Sequence, residues 1–319
     1  MDSHLIANPA AGGGRVGRML GDLVPQLERA LGGLVVHRTT GPGQCAALAA
    51  AAVNAGAKRI LSLGGDGTHG EVAGGVVDAQ AAPGAVTFVP LPGGTGSDWC
   101  RLHAWGGEVR EAIPRIAGAE TRRVDLGRVS YVTDDGRPES RYFLNIGSAG
   151  LGGETDRRLR RSRLGGTFSY ARATLEGLLA FTPPKVRIVV DGVDQGVTPI
   201  FVVAVANGRY FGGGMLFAPG AKPDDGLLDV VVMPPRSMLR ALRGLPGIYS
   251  GAHVHAPDVR VHRGRVIELV PVEGTALLDI DGESPGAAPA RFDVLPGVLS
   301  VAGLLPTLSD LGNRVPDPR

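Results

Sequence analysis

Three times within the first hundred residues a short apolar run ends on a glycine-rich turn: Leu5–Asn8 before Gly12–Gly14, Arg59–Leu63 before Gly64–Thr68, and Val86–Leu91 before Gly93–Asp98. Between them lie helical patterns over Val16–Leu31, with Met19, Leu20, Leu23, Leu27, Ala30 and Leu31 near one face, and over Gln44–Asn54 and Gly70–Ala79. Leu34–Thr39 reads as a further strand. Strands alternating with helices predict a mostly parallel sheet covered by helices. Ligands gather at the carboxyl ends of such strands, so the three turns are expected on one sheet edge as a single crevice.

The middle turn, Gly64-Gly65-Asp66-Gly67-Thr68, is built for phosphate. Glycine tolerates positive φ and lets successive N–H groups aim at anionic oxygens, and the helix that follows offers its N-terminus to the same anion. Asp66 is repelled by bare phosphate, and is useful there if it holds a hydroxyl, a water or a divalent cation. Gly12, Gly13 and Gly14 can present further amides while Asn8 fastens their turn. Arg15 is either a cation for the phosphate or a solvent-facing residue at a helix start. Thr68 can donate to phosphate or cap the next helix. In the third turn, Gly93–Asp98, Gly94 and Gly96 permit the turn, Thr95 offers a hydroxyl, and Asp98 can cap a short helix or orient cation-bound water.

Beyond about residue 128 the pattern changes. Short strands are expected at Tyr142–Ile146, Val186–Val190, Ile200–Ala206, Leu228–Val232, Val259–Arg263, Val266–Val270, Leu277–Ile280, Arg291–Val294 and Leu299–Ala302, with helices at Phe168–Ala180 and Ser237–Leu242. Many strands without intervening helices imply an antiparallel sandwich. At 319 residues, 43% of them hydrophobic, the chain can fill two cores. The expected division is 1–128, an α/β nucleotide-binding domain; 129–305, a β-sandwich substrate and metal domain; and a tail, 306–319.

Gly64–Thr68 resembles the GGDGT signature of the diacylglycerol kinase catalytic domain, which is shared with sphingosine and ceramide kinases and, more distantly, with NAD kinases and phosphofructokinases. Asn8–Gly14 resembles the first phosphate loop of these lipid kinases, Leu91–Arg101 their second glycine-rich signature, and Asp281-Gly282-Glu283 their late acidic motif. The series spans nearly the whole chain in the family's order. The commonest family form has asparagine where this chain has Ser97.

The resemblance implies a doubly wound α/β domain followed by an antiparallel β-sandwich, with ATP and Mg2+ in the cleft between them. The C-terminal end often returns to the first domain. By motif position Asp281 is the general base, with Glu283 orienting it or binding magnesium; Asp125 is an acidic position near the interdomain cation. Asp279 is expected to support its strand or face solvent. Lys222–Asp229 resembles a magnesium loop in which Asp225 is a ligand together with carbonyls of Lys222 and Leu227, although the same segment also reads as an ordinary Asp-Gly turn. The implied reaction is transfer of the γ-phosphate of ATP to a lipid alcohol, diacylglycerol to phosphatidic acid first of all. Sphingoid base, ceramide or another lipid alcohol, NAD, and a non-catalytic nucleotide- or lipid-sensing module stay open.

Charge and composition add exclusions. With 33 basic and 31 acidic residues the net charge is only +2, which gives no argument for nucleic acid. The arginine cluster Arg157–Arg163 has no interleaved aromatic residues for base stacking and suits either a solvated face or an anionic membrane. Two cysteines, Cys45 and Cys100, are too few for a disulfide framework or a thiolate metal site. His69 beside Thr68 reads as a non-catalytic residue at a helix start. The N-terminus has no basic region leading into a long apolar stretch, so neither an export signal nor a membrane span is expected. The expectation is a cytoplasmic enzyme that visits the inner face of the membrane, with a homodimer left open.

Overall fold

The computed structural model describes residues 2–94, 96–103, 108–133, 135–154 and 181–304. The first half alternates β1 (Ser3–Ala7), α1 (Ala11–Leu31), β2 (Val35–Arg38), α2 (Cys45–Asn54), β3 (Arg59–Gly64), α3 (Asp66–Ala79), β4 (Thr87–Pro92) and α4 (Val109–Ile116). The strands pair in parallel in the order β2-β1-β3-β4. Alternation along the strands splits their side chains between the two faces. Leu5, Leu61, Leu63 and Val89 meet Leu20, Leu23 and Leu27 of α1 and Ile113 of α4. Ile6, Ile60 and Phe88 meet Ala49 of α2, Val72 and Val76 of α3, and Trp99.

The second half contains β5 (Thr121–Thr133), β6 (Pro138–Phe143), β7 (Ile146–Gly150), β8 (Lys185–Val190), β9 (Val193–Pro199), β10 (Val202–Ala206), β11 (Tyr210–Phe211), β12 (Met215–Leu216) and β13 (Leu228–Met233). It continues through α5 (Met238–Ser250), β14 (Arg260–Gly264), β15 (Val266–Glu273), β16 (Leu278–Ile280) and β17 (Gly286–Ala302). An antiparallel sheet β14-β13-β10-β7-β16 faces strands β5, β6, β8, β15 and β17. Val203, Val205, Leu228, Ile267, Leu278 and an edge-on Phe143–Phe292 pair, 5.9 Å between centroids, fill the space between them.

One strand joins the two halves. β17 runs antiparallel to β5 and β15, and its last residues, Ser300 and Val301, pair in parallel with β4. β17 therefore carries the chain back to the first domain; the tail 306–319 lies outside the described residues. The expected boundary at residue 128 falls inside β5, which is continuous from Thr121 to Thr133.

Local departures from the sequence reading are confined to a few places. A single strand over Tyr142–Ile146 gives way to β6 and β7 with a break at Leu144–Asn145. The separate strands Arg291–Val294 and Leu299–Ala302 are one, with a register shift between Leu295 and Leu299 around Pro296-Gly297. The helix expected from Gly70 starts at Asp66, and the one expected to end at Leu242 continues to Ser250. The hairpin strands β9, β11 and β12 were not anticipated, being short or polar. Phe168–Ala180 and the arginine cluster lie outside the described residues.

Candidate active site

The three glycine turns do meet at the carboxyl ends of β1, β3 and β4. Gly12, Gly13 and Gly14 take φ of +60°, +62° and +81° at the head of α1, where a side chain would be strained. A Cβ on Gly12 would also sit 2.7 Å from Gly93 O. Gly93 and Gly94 donate their N–H groups to Gly64 O at 2.9 and 2.8 Å, and a Cβ on Gly94 would lie 2.5 Å from Gly65 Cα. The second and third turns are thus in backbone contact. Asn8 ties in the first: its Oδ1 accepts from Ala10 N at 3.1 Å and its Nδ2 donates to Thr68 Oγ1 at 3.2 Å. Arg15 lies across the turns, donating to Gly94 O at 3.2 Å, and Arg18, not singled out in the sequence, donates to Gly13 O at 3.4 Å. Thr95 lies outside the described residues. The loop after β2, Thr39–Gln44, reaches the same edge through Thr39 N to Ala7 O at 3.0 Å.

Asp66 occupies the first turn of α3. Its Oδ2 and Oδ1 accept from Asp98 N at 3.0 Å and Trp99 N at 2.9 Å, so Asp66, and not Asp98, caps the short helical turn Trp99–Leu102. Asp98 instead reaches the sandwich: its Oδ2 accepts from Gly213 N at 2.7 Å and its Oδ1 from Arg101 Nε at 3.1 Å. Ser97 holds φ +47°, a left-handed conformation that asparagine tolerates better than serine, and its hydroxyl donates to Gly94 O at 3.3 Å. Burial, with the charge of Asp98, pushes the Asp66 carboxyl up to about 6.

Asp281 comes from the opposite side. β16 stops at Ile280, and Asp281 and Gly282, at φ +48° and +87°, form a tight turn closed by Ile280 N to Glu283 O at 2.7 Å and Glu283 N to Ile280 O at 3.0 Å. The carboxylate accepts three backbone N–H groups at the β6–β7 break: Leu144 on Oδ2 at 2.9 Å, Asn145 and Ile146 on Oδ1 at 3.1 and 3.0 Å. Burial, reinforced by the charge of Asp66, pushes its carboxyl up to about 8 even against those donors. Gly70 lets α3 pass this closely, since a Cβ there would be 2.9 Å from Asp281 Oδ2.

Glu283 lies over the middle turn, where a Cβ on Gly67 would meet Glu283 Oε1 at 3.1 Å, and Arg141 holds its Oε2 at 3.0 Å. Asp279 is buried and accepts from Gly282 N at 2.9 Å, bracing the same turn, which agrees with a supporting role. His69 is fully buried, its ring 2.8 Å from Ser62 Oγ and 3.5 Å from Cys100 Sγ. Burial lowers its pKa to about 3, so it is neutral and structural. Burial also raises both thiols, Cys45 to about 12, so neither is a ready nucleophile.

Asp125 lies beneath the cleft and is buried. Its Oδ2 and Oδ1 accept from Gly226 N and Gly297 N, each at 2.7 Å, and its N–H donates to Pro223 O at 2.7 Å, clamping the Lys222–Leu227 loop to β5 and β17. In that loop Asp225 Oδ1 accepts from Leu227 N at 3.1 Å, while its Oδ2 pairs with Arg263, whose Nε also reaches Asp229 at 3.2 Å. Burial, with the charges of Asp225 and Asp224, raises the Asp125 carboxyl.

Among the described residues no group of three or more His, Cys, Asp or Glu is gathered as a ligand set. Magnesium, however, commonly takes one or two carboxylates and completes its shell with phosphate and water. Asp66 and Asp281, both raised by burial and the second by the first, form a locus of crowded negative charge that a divalent cation relieves. The glycine amides and Arg15 beside them suit a polyphosphate. In the lower loop the oxygens of Asp125 are taken by Gly226 N and Gly297 N and those of Asp225 by Leu227 N and Arg263, so the segment stands as an Asp-Gly turn closed by hydrogen bonds and an ion pair.

Comparisons with known proteins bear on the family and the fold. Residues 2–129 match the model of the diacylglycerol kinase catalytic domain, and residues 145–303 that of the YegS C-terminal NAD kinase beta sandwich-like domain. A diacylglycerol kinase of Mycobacterium tuberculosis is 31% identical over 259 residues, 80% of this chain and 79% of that protein. A protein of Chromohalobacter salexigens named "Probable lipid kinase YegS-like" is 30% identical over 84% of this chain and 83% of its own. The crystal structure of a diacylglycerol kinase from Bacillus anthracis strain Sterne superposes with a TM-score of 0.68 at 22% identity, covering 95% of this chain and 96% of that one.

Proposed function

The chain belongs to the diacylglycerol kinase and YegS-like lipid kinase family, and on that premise we propose that this ATP-dependent lipid kinase phosphorylates diacylglycerol to phosphatidic acid with Asp281 as general base. The observation that carries the assignment of the base is the placement of the Asp281 carboxylate, held at a sharp turn by the Leu144, Asn145 and Ile146 N–H groups with its Oδ2 against α3 at Gly70; burial there raises the carboxyl. A base works best when its pKa lies near the working pH.

Phosphoryl transfer asks a protein chiefly for alignment and charge stabilisation. The turns Gly12–Gly14, Gly64–Gly67 and Gly93–Gly94 position the phosphates: amides of the first two turns face them, Gly93 and Gly94, whose N–H groups are held by Gly64 O, fix the second and third turns together, and Arg15 neutralises charge from the rim. Three of the roughly four acceptor positions of the Asp281 carboxylate are taken by backbone N–H groups, two on Oδ1 and one on Oδ2. Oδ2 keeps an open position to accept the proton of the acceptor hydroxyl as its oxygen bonds to the γ-phosphorus and ADP leaves. Glu283, held by Arg141, keeps the Asp281–Gly282 turn over the middle loop. Mg2+, when bound with the nucleotide near Asp66, supplies charge neutralisation of the phosphates. A structural cation in the lower loop, with Asp225 and the carbonyls of Lys222 and Leu227 as ligands, would take the place that Arg263 holds on Asp225, and Asp125 connects that loop to the cleft.

The test is transfer of labelled γ-phosphate from ATP with magnesium to diacylglycerol, sphingosine, ceramide, other lipid alcohols and NAD, comparing the parent with Asp281→Asn. Labelled phosphatidic acid that disappears with the variant supports the reading. Preferential labelling of another acceptor replaces diacylglycerol, and retained nucleotide binding without any product turns the reading to a sensor.

A further inference from the structure

Helix α5 carries Arg240 and Arg243 and no acidic residue along Met238–Ser250. Its inner side is fixed to the sandwich: Ile248 packs against the cluster that contains Ile146, Ala204, Phe217 and Met233. The helix ends at Gly251, φ +79°, where a Cβ would stand 3.1 Å from Leu216 of β12. The outer arc exposes Arg240, Arg243, Leu245, Pro246 and Tyr249, with Leu245 42% and Tyr249 55% accessible. At helical spacing Leu245 and Tyr249 are neighbours one turn apart, and Arg240 and Arg243 adjoin on the other flank.

The nearby acid is already engaged. Asp258 takes Arg236 through two bonds, 2.9 and 2.6 Å, and Arg240 at 3.5 Å. Arg243 makes no ion pair among the described residues. α5 rests on β12, and the β11–β12 hairpin carries Gly212–Gly214, whose Gly213 N–H is the one bound by Asp98. The exposed arc therefore lies one hairpin away from the third glycine turn.

We propose that this outer face of α5 is a docking surface for an anionic lipid bilayer. The inference rests on the lipid-kinase reading only for the reason a bilayer must be approached; the surface itself is argued from its chemistry. Interfacial helices combine basic residues with exposed apolar and aromatic side chains that sink to the headgroup boundary, and tyrosine favours that boundary because its ring is apolar and its hydroxyl wet. A symmetric contact with a second copy would instead bring the arginines of two identical faces together.

The full chain is sedimented with phosphatidylglycerol/phosphatidylcholine vesicles and with phosphatidylcholine alone. Two double variants, Leu245→Ser/Tyr249→Ser and Arg240→Gln/Arg243→Gln, are compared with the parent. The parent is expected to favour the anionic vesicles, and each variant to lower the bound fraction roughly tenfold. Melting temperature and phosphorylation of a short-chain, water-soluble diacylglycerol stay at parental values. Unchanged vesicle binding by both variants overturns the proposal, as does a shift in sedimentation velocity, the mark of a second copy, with vesicle binding intact. Vesicle binding lost in the variants while even the parent phosphorylates no lipid upholds the surface and overturns the kinase reading instead.

Discussion

Asp98 accepts the N–H of Gly213 at 2.7 Å, joining the third glycine turn of the α/β domain to the β11–β12 hairpin of the sandwich. The bond sets how the two walls of the cleft face each other. The same carboxylate holds Arg101, and the backbone N–H of Asp98 is itself held by Asp66.

Asp98→Ala is expected to cost about 1.5–3 kcal/mol, the range for hydrogen bonds to a charged partner, and to lower turnover by loosening the cleft. Asp98→Asn keeps an acceptor for Gly213 and should retain most of the stability. Thermal melts and steady-state kinetics on both variants check this. Equal melting temperatures for the parent and Asp98→Ala would show that the bond does not hold the walls together.

The pH dependence of stability has a defined sign. The Asp281 carboxyl is raised to about 8 from an ordinary 3.8, so the folded protein binds a proton that the unfolded chain releases. Its contribution is fully present below about pH 4 and is lost as pH rises toward 8. Asp66, raised to about 6, acts in the same direction over a narrower window. In metal-free buffer, Asp281→Asn should flatten the decline in melting temperature between pH 4 and pH 8. A decline as steep as the parental one would assign it to other groups.

Gly94→Ala tests the contact between the second and third turns. Its Cβ would stand 2.5 Å from Gly65 Cα, backbone against backbone, so the turns must separate. The expected cost is about 1–3 kcal/mol, as for overpacking elsewhere, with nucleotide affinity falling more than tenfold because the amides no longer converge. Binding of a fluorescent ATP analogue beside a thermal melt separates the two effects.

Removing divalent cations probes the lower loop. Chelation should lower the melting temperature of the parent and leave that of Asp225→Ala unmoved, since the variant lacks the carboxylate ligand. An equal drop in both proteins would place the stabilising cation elsewhere.

Much of this arrangement was legible in the chain. The strand-then-turn repeats located Gly12–Gly14, Gly64–Thr68 and Gly93–Asp98, and strand topology put them on one edge. Asp281-Gly282-Glu283 was legible as an acidic motif at the end of the strand Leu277–Ile280. The break between β6 and β7 was not legible, because Asn145 is the one polar residue in the otherwise apolar or aromatic run Tyr142–Ile146; the amides there leave the ladder to bind a carboxylate supplied far along the chain. Arg18 carried no motif of its own, and became relevant only when α1 brought it over Gly13.

The amino-acid sequence by itself determined the local events: where most strands end, which turns need glycine, and which face of α1 is apolar, since all of these depend on neighbours within a few residues. Only the tertiary structure decided the long-range pairings. It placed Asp66 as the cap of Trp99 in place of Asp98, used both oxygens of Asp125 to bind Gly226 and Gly297, and passed β17 through both domains. Such partners lie far apart in the chain, and their bonds form only once two cores have packed and buried polar groups must find one another.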